Sequence, residues 1–293
     1  MKEKSTGYRV FTVINTIFLI SLAFVCLYPF YYVVIASVSD PEQLIRHQGL
    51  LFVPLKNLTV AGYAMVFSNK LVLSGYANTL FILFTGLIIN LILTTVGAYV
   101  LSLKELMLRK QLTILVIITM YFSGGLVPTY LNVRDLGLMD SVWSLIIPGA
   151  ITTSNLIIMR SAFLAVPDSL SEAAKMDGAN HLQILFKVML PLVKATLAVM
   201  VLYYGVAHWN SWFNASIYLR TPSKYPLQLV LRNILVESQT NDMMQDVGAA
   251  KSPQVLQLIK YSLIVVSSAP IIMIYPFLQK FFQKGVMLGA VKG

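Results

Sequence analysis

The stretch that decides the fold is residues 71–103, which read LVLSGYANTLFILFTGLIINLILTTVGAYVLSL. It contains no Asp, Glu, Lys or Arg. A helix needs about 20 apolar residues to cross a hydrocarbon core of roughly 30 Å, so this stretch is long enough to span a membrane. The rest of the chain has the same character, because its 293 residues are 57% hydrophobic and only 12% charged. Soluble domains are about 25% charged, and the composition therefore argues against a soluble enzyme.

Five further apolar runs flank this stretch. The sequence therefore predicts an all-α polytopic membrane protein with six transmembrane helices, in a single domain over residues 1–293. The predicted spans are residues 10–39, 71–103, 111–133, 141–160, 192–219 and 260–280. The first run has basic flanks, as a signal peptide has, but it far exceeds an h-region of about 7–15 residues. We interpret it as a retained span.

Lysine and arginine residues set the predicted orientation. With the N-terminus inside, thirteen of the 22 Lys and Arg residues fall on inner segments and nine on outer ones. Inner loops of membrane proteins carry the excess of basic residues. Both termini are then cytoplasmic, segment 167–191 is cytoplasmic, and the long loops 40–70 and 220–259 face outward. The net charge of +10 is explained by these loops, and we expect no nucleic-acid partner.

The cores of the predicted spans carry neutral polar residues but no charged ones. A proton-driven carrier normally needs a carboxylate inside the membrane, which argues against that class. His208 is more typical of a hydrogen-bonded structural group than of a proton relay. Amides, hydroxyls and aromatic rings suit a neutral, hydroxyl-rich solute. The candidate pathway residues are Asn90, Asn155, Trp209, Asn210, Trp212 and Asn214.

These candidates have structural alternatives. Asn90 shares a helix face with Gly86 and Gly97, and small residues beside an amide commonly join membrane helices. Trp209 and Trp212 fall near the outer membrane interface, where tryptophan is frequent. Residues 123–128, SGGLVP, interrupt the third span, and paired glycines before a proline kink a helix. The sequence leaves open whether this break is a hinge, part of a pathway or a packing kink.

Segment 167–191 carries helix start and stop signals. Pro167 breaks the chain after the fourth span. Ser169 and Glu172 match the S-x-x-E capping box, which predicts a helix start. Gly178 suits a left-handed stop about two turns later. We expect a first short helix between these signals.

A second short helix is predicted over residues 181–190. Asn180 can cap its start, and Pro191 resets the backbone before the fifth span. Ala173 and Ala174 leave one face of the first helix smooth, so that another protein can approach closely. The residues alone leave two alternatives open, a docking site for a protein and an amphipathic connector that lies on lipid.

The same segment resembles the signature loop of bacterial ABC importer permeases, E-A-A-x-x-x-G and then, after a nine-residue spacer, I-x-L-P. Here the two parts read Glu172–Ala173–Ala174–Lys175–Met176–Asp177–Gly178 and Val188–Met189–Leu190–Pro191, with Val188 in the place of isoleucine. The C-terminal residues 285–293, GVMLGAVKG, resemble the tail of the carbohydrate group of these type I importers, the maltose-permease second-subunit type. Residues 122–130 and 225–229 resemble a subgroup that handles complex oligo- and polysaccharides.

This resemblance covers nearly the whole chain and implies a function. The chain would be the permease subunit of an ATP-driven importer in the bacterial cytoplasmic (inner) membrane, forming half of the pathway for an oligo- or polysaccharide. Its expected partners are a second homologous permease subunit, two ATP-binding subunits, an extracytoplasmic solute-binding protein, the saccharide and membrane lipid. In the coupling-helix loop between spans four and five, the residues expected to dock on the ATPase are Glu172, Ala173, Ala174, Gly178, Leu190 and Pro191.

The sequence contains no motif for ATP hydrolysis. No glycine is followed by lysine, so the phosphate-binding G-x-x-x-x-G-K-[ST] motif is absent. The single cysteine, Cys26, excludes an intrachain disulfide. We expect no enzymatic activity and no bound cofactor or metal in this chain, with ATP and Mg on the partner ATPase. The alternatives are a permease for a non-sugar solute, a proton-coupled sugar carrier and a membrane scaffold.

Overall fold

The computed structural model describes residues 6–236 and 253–290, and this part of the chain is helical, without β-strands. The α-helices are α1 Thr6–Ser37, α2 Pro41–Arg46, α3 Ala61–Ser68, α4 Lys70–Ser102, α5 Arg109–Tyr121, α6 Leu126–Asp135, α7 Thr153–Leu164, α8 Asp168–Met176, α9 His181–Gln183, α10 Leu190–Leu192, α11 Lys194–Trp209, α12 Trp212–Tyr218, α13 Leu227–Val236 and α14 Pro253–Ala290. The 3-10 turns are Val142–Leu145 and Pro222–Lys224, and a π-helical segment, Ile184–Met189, joins α9 to α10.

Several of these helices are long and apolar enough to cross a membrane. Three qualify alone within the described ranges, namely Gly7–Ser37, Lys70–Ser102 and Gln257–Ile274. Two bent pairs raise the number to five if each pair is one span: α5 with α6, at 112°, and His181–Leu192 with α11, at 87°. The chain is thus an all-α membrane protein with several spans, and the count of six stays a prediction.

Three of the predicted spans are not continuous helices. The span predicted over residues 111–133 breaks between α5 and α6, and the span over 192–219 breaks at Val193 and again between α11 and α12. Residues 141–160 form only a 3-10 turn, an irregular connection and the start of α7. Pro148 and Gly149 lie in that connection, where proline lacks a helical donor and glycine favours irregular backbone. The prediction of one helix over 141–160 is therefore wrong.

Contacts divide the chain into two compact units, one made of Met1–Lys70 with Asn233–Ala269 and one made of Leu71–Arg232 with Pro270–Gly293. That residues 1–293 form a single transmembrane domain remains a prediction. In the first unit, α3 packs closely on the beginning of α14, because a Cβ at Gly62 would lie 2.3 Å from Ser262 Oγ. The apolar side chains of α1 are largely exposed, as expected for a helix that faces lipid or another subunit.

The second unit is organised around α4. Along this helix Ile82, Ala98 and Tyr99 are buried. One hydrophobic cluster joins α4 to α7, α11 and the π-helical segment, and a second joins it to the Val142–Leu145 turn, α12 and α13. This packing places two regions of interest on the same unit: the loop from α8 to α10, and the break between α5 and α6.

Candidate functional site

The first part of segment 167–191 is α8, which begins one residue earlier than its predicted cap. Pro167 occupies the N-cap position, and no side chain caps the helix. The predicted Ser169–Glu172 capping box is therefore wrong. Ser171 Oγ instead donates to the carbonyl of Asp168, 2.8 Å away. The fixed φ of Pro167 allows the helix to start directly after it, which puts Ser169 inside the first turn.

The predicted helix stop and the second helix start are confirmed. Gly178 ends the turn after α8 with φ +82°, the left-handed conformation that favours glycine. Asn180 Oδ1 accepts the amide hydrogen of Gln183 at 2.9 Å, and Gln183 Oε1 accepts that of Asn180 at 2.9 Å. This reciprocal cap fixes the corner between α8 and α9.

The helix predicted over residues 181–190 contains an unexpected π-helical segment, Ile184–Met189. Pro191 follows it and cannot donate a backbone hydrogen bond to the preceding turn. The wider π turn accommodates this missing donor, and helix direction then changes by 87° at Val193. Leu190 packs against the hydrophobic cluster around α4, whereas Pro191 is exposed.

Two ion pairs tie α8 to the turn between α4 and α5. Lys104 pairs with Asp168, and Lys175 Nζ lies 2.6 Å from Glu105 Oε1. The hydrogen bond from Lys175 lowers the pKa of the Glu105 carboxyl group and raises the pKa of the Lys175 ammonium group. Both pairs are exposed and add little stability, but they place α8 beside the turn between α4 and α5.

Glu172 differs from these paired carboxylates. It is exposed, and it has no hydrogen bond and no ion pair with any residue in the described ranges. Ala173 and Gly178 are also exposed, and Ala174 is partly buried. Large apolar side chains project into solvent from the same loop: Leu170, Met176, Leu182 and Phe186. A free carboxylate among small and exposed apolar side chains suits contact with another macromolecule.

The candidate pathway residue Asn90 is fully buried and bound within the chain. Its Nδ2 donates to the carbonyls of Gly149 and Ala150, each at 2.9 Å. Its Oδ1 is therefore the acceptor for His208 Nε2, 2.6 Å away. A Cβ at Gly86 would lie 2.5 Å from the same imidazole ring. This geometry favours the packing alternative for Asn90 and a structural role for His208.

The two tryptophans occupy different surroundings. Trp209 is 4% exposed, packs edge-on against Tyr76 and lines a cavity of about 270 Å³ whose other lining residues are all apolar. Trp212 is exposed, and the Arg232 guanidinium lies 4.9 Å from its ring centroid. Trp209 is thus part of the chain's interior, and Trp212 belongs to a cation–π contact at its surface.

The three remaining candidate asparagines also lie in different surroundings. Asn155 is buried in α7. Asn210 is exposed at the C-cap of α11, and its amide donates to the carbonyl of Val206 in that helix, 3.0 Å away. Asn214 lies in an open cleft of about 390 Å³ at the break between α5 and α6. The cleft is lined by Ser123, Gly125, Leu126, Thr129, Pro148, Gly149, Asn214 and Tyr218.

Sequence reasoning missed a clamp formed by Asp140. Its carboxylate accepts the Thr221 hydroxyl at 2.6 Å and the amide hydrogens of Arg220 and Thr221 at 2.9 Å, and it lies 3.0 Å from Lys224 Nζ. These hydrogen bonds, with those from Thr221 first, hold the pKa of the Asp140 carboxyl group well below its usual range. No sequence motif indicates this contact, because its partners are some eighty residues apart in the chain.

Residues 225–229 connect the start of α13 to α4. Asn78 Nδ2 donates to the carbonyl of Tyr225 at 3.1 Å, and the amide of Leu227 donates to Thr79 Oγ1 at 2.9 Å. A Cβ at Gly75 would lie 3.2 Å from the backbone of Leu227. The start of α13 therefore packs directly on α4. The C-terminal stretch 285–293 lies outside the residues whose side chains the structure describes.

Comparisons with known proteins identify relatives over nearly the full chain, although no family model matches. The chain is 39% identical over 286 residues to the polygalacturonan/rhamnogalacturonan transport system permease protein YtcP of Bacillus subtilis (strain 168), covering 97% of this chain and 99% of that protein. It is 24% identical over 296 residues to the arabinooligosaccharides transport system permease protein AraQ of the same organism, covering all of both.

A solved structure has the same fold. One chain of a bacterial ABC transporter involved in the import of the acidic polysaccharide alginate matches with a TM-score of 0.87 and 34% identity, over 96% of this chain and 100% of that one. Several long apolar helices define a polytopic membrane protein. The chain belongs to the family of carbohydrate permease proteins of ABC importers.

Proposed function

We propose that this chain forms half of the translocation pathway of an ATP-driven importer, and that the loop from α8 to α10 is its docking site for an ATP-hydrolysing subunit. The observation that carries this proposal is the unpaired Glu172. The neighbouring acidic residues Glu105 and Asp168 form ion pairs with lysines, whereas Glu172 and Asp177 form none among the described residues. Of these two, Glu172 lies beside Ala173 and Ala174, and it interacts with the Lys175 charge only at longer range. A carboxylate left free beside exposed apolar side chains is available for a basic residue of a partner.

The surroundings of Glu172 support close contact with a protein. Ala173 and Gly178 add almost no side-chain bulk, and a Cβ at Gly178 would meet no atom within 4 Å. Met176 is 89% exposed beside them. We propose that an arginine of the ATPase subunit binds Glu172, because a guanidinium makes charge-assisted, bidentate hydrogen bonds with a carboxylate.

The contacts of the loop provide a route for coupling. A pull on α8 is transmitted to the turn between α4 and α5 through the two lysine ion pairs, and to α11 through the bend at Val193. We propose that ATP-driven closure of the partner subunits moves these helices and alternates access to the pathway. Such a switch requires contacts that differ between the two states.

The proposed assembly has parts that this chain does not supply. They are a second homologous permease subunit, two ATP-binding subunits that carry ATP and Mg, and an extracytoplasmic solute-binding protein. We propose six spans in the bacterial cytoplasmic membrane, with both termini and the coupling loop in the cytoplasm. The single domain over 1–293, and the docking roles of Leu190 and Pro191, are parts of the same proposal.

The proposed substrate is a complex oligo- or polysaccharide. YtcP is named for polygalacturonan and rhamnogalacturonan, and the matching structure is of an alginate importer. Both names refer to polysaccharides rather than to single sugars, and both relatives exceed 30% identity. We therefore propose a saccharide fragment of several units.

The experiment is a neutralisation of Glu172 in the assembled importer. In Glu172→Gln and Glu172→Ala, we expect weaker association with the ATPase subunits and loss of ATP-driven saccharide uptake. The matched control is Asp177→Asn, which removes the same charge from an exposed position on the same loop. We expect this control to retain uptake.

Two results would contradict the docking role. One is normal association and uptake in both Glu172 variants. The other is an equal loss in Asp177→Asn, because the effect would then come from the net charge of the loop. Partition of the loop into lipid, with no contact to the ATPase, would favour the amphipathic connector instead.

A further inference from the structure

We infer that the cleft at the break between α5 and α6 is a contact site for one sugar unit of the transported saccharide, and that it recognises hydroxyl groups rather than charge. This inference rests on the proposed function, because it assigns residues of this chain to contact with the transported substrate. It adds Ser123, Thr129 and Tyr218 to the predicted pathway residue Asn214.

One wall of the cleft presents polar groups that the chain itself leaves unpaired. Asn214 is exposed on α12, and its amide has no hydrogen-bond partner among the residues described. The Tyr218 hydroxyl, one turn further on the same helix face, also has none there. The Tyr218 ring is only 2% exposed and stacks on Tyr130 at 6.5 Å between centroids, so its position is fixed.

The opposite wall is the helix break itself. Gly125 adopts φ +89° and ψ −179°, a conformation that is open essentially to glycine alone. Its amide donates to Ser123 Oγ at 3.2 Å, and its carbonyl accepts the Thr129 hydroxyl at 2.8 Å. These bonds hold the turn and leave both hydroxyl oxygens able to accept a further hydrogen bond.

The chemistry of the lining selects the class of ligand. Among the residues that the structure describes, no Asp, Glu, Lys or Arg lines the cleft. Its volume of about 390 Å³ falls in the usual range of small-ligand sites, about 300–1,000 Å³. The amide and hydroxyl groups of the lining match the hydroxyl groups of a sugar. Recognition of a carboxylate uses basic groups or clustered donors, so the acid groups of an acidic saccharide would be bound elsewhere.

The contrast with Asn90 supports this assignment. Both residues are asparagines on helices of the same unit, but Asn90 binds three groups of its own chain. A buried amide without partners is destabilising, whereas an exposed amide can hydrogen-bond to water until a ligand binds. Asn214 is therefore free for a solute in a way that Asn90 is not.

The test uses the whole importer, with its partner subunits and binding protein, reconstituted in lipid vesicles. ATP-driven uptake is measured with labelled oligogalacturonate, alginate oligosaccharide and neutral arabino-oligosaccharide. Asn214→Ala and Tyr218→Phe each remove one free polar group, and we expect kcat/KM for uptake to fall roughly 2- to 10-fold in each. For the saccharides that the importer carries, we expect the same factor with acidic and neutral probes. The control is Ser216→Ala, whose hydroxyl donates within α12 to the carbonyl of Phe213 at 2.7 Å.

The possible outcomes distinguish failure of the proposed cleft site from failure of the proposed transport function. Wild-type uptake in both cleft variants would overturn the site while leaving the proposed function intact. A loss confined to acidic saccharides would overturn recognition without charge. An equal loss in Ser216→Ala would show a general disturbance of α12 and overturn the assignment. If the unmodified importer shows no ATP-driven uptake of any probe, the proposed function fails and the inference falls with it.

Discussion

In the buried layer around α4, Asn90 binds three groups of its own chain, whereas on the loop from α8 to α10 Glu172 forms no hydrogen bond or ion pair within residues 6–236 and 253–290. The buried layer is closed, because each amide atom of Asn90 has a partner inside. The loop is held by Lys104 and Lys175, and among the described residues the carboxylates of Glu172 and Asp177 form no ion pair and no side-chain hydrogen bond. Asn90 therefore serves the packing of this chain, whereas the exposed Glu172 carboxylate is available to a partner.

The largest effect on stability is expected at the closed layer. Asn90→Leu leaves two carbonyls and the His208 imidazole without their partner, so we expect a loss of about 3 kcal/mol in the free energy of unfolding. Thermal unfolding of the purified protein in detergent measures it. Asn210→Leu is the control, because that exposed amide, at the C-cap of α11, donates to the nearby carbonyl of Val206. Equal stability of the two variants would contradict the claim that the hydrogen bonds of Asn90 stabilise the buried layer.

The next effect concerns the backbone at the helix break. Gly125→Ala forces a side chain into φ +89°, and we expect a loss of about 1–2 kcal/mol in stability together with a distorted cleft. Gly124→Ala is the control, since its Cβ would meet only Pro128 at an ordinary 3.5 Å. Thermal unfolding of both variants compares them, and an unchanged Gly125→Ala protein would show that the break tolerates other conformations.

A smaller effect is expected at Asp140. Its pKa is lowered in the folded state, so its ionised form stabilises the fold above the ordinary carboxyl value of about 3.9, and this contribution is lost as the pH falls below that value. We expect Asp140→Asn to unfold at a lower temperature at pH 7 and to lose less stability on acidification than the wild type. Asp135→Asn, in an exposed pair with Arg134, is the control. Parallel pH profiles for Asp140→Asn and wild type would contradict the clamp.

The smallest effect is expected at the ion pair of the loop. Lys175→Ala removes the hydrogen bond that lowers the pKa of Glu105, so that pKa should rise toward its ordinary value. Because the pair is exposed, we expect little change in thermal unfolding and a still smaller change at high salt. Titration of Glu105 by NMR measures the shift. Lys187→Ala, an exposed lysine on the same loop, should leave the Glu105 pKa unchanged.

The sequence predicted well what depends on local signals. Apolar composition indicated a helical membrane protein, and the conformational preferences of Gly178 and Asn180 marked the corner between α8 and α9. The Ser169–Glu172 cap failed because Pro167 supports an earlier start of α8. The straight span over residues 141–160 failed because hydropathy counts apolar residues without registering the irregular backbone around Pro148 and Gly149.

The sequence could not predict which polar residues face each other. Asn90 and Asn214 look equivalent as asparagines in apolar runs, yet one reaches His208 and the other lines the cleft. Such contacts join residues far apart in the chain, 118 positions for Asn90 and His208 and 81 positions for Asp140 and Thr221. They depend on how α4, α11 and α12 pack, which local signals do not encode.

The most direct measurement is a crosslink from the exposed loop in native membranes. Met176→Cys in a Cys26→Ser background carries a single thiol beside Glu172, at a position that is 89% exposed. We predict that it crosslinks to an ATP-binding subunit, and that a membrane-impermeant maleimide labels it in inside-out vesicles but not in intact cells. Labelling in intact cells, without a crosslink to an ATPase, would contradict the cytoplasmic docking of this loop.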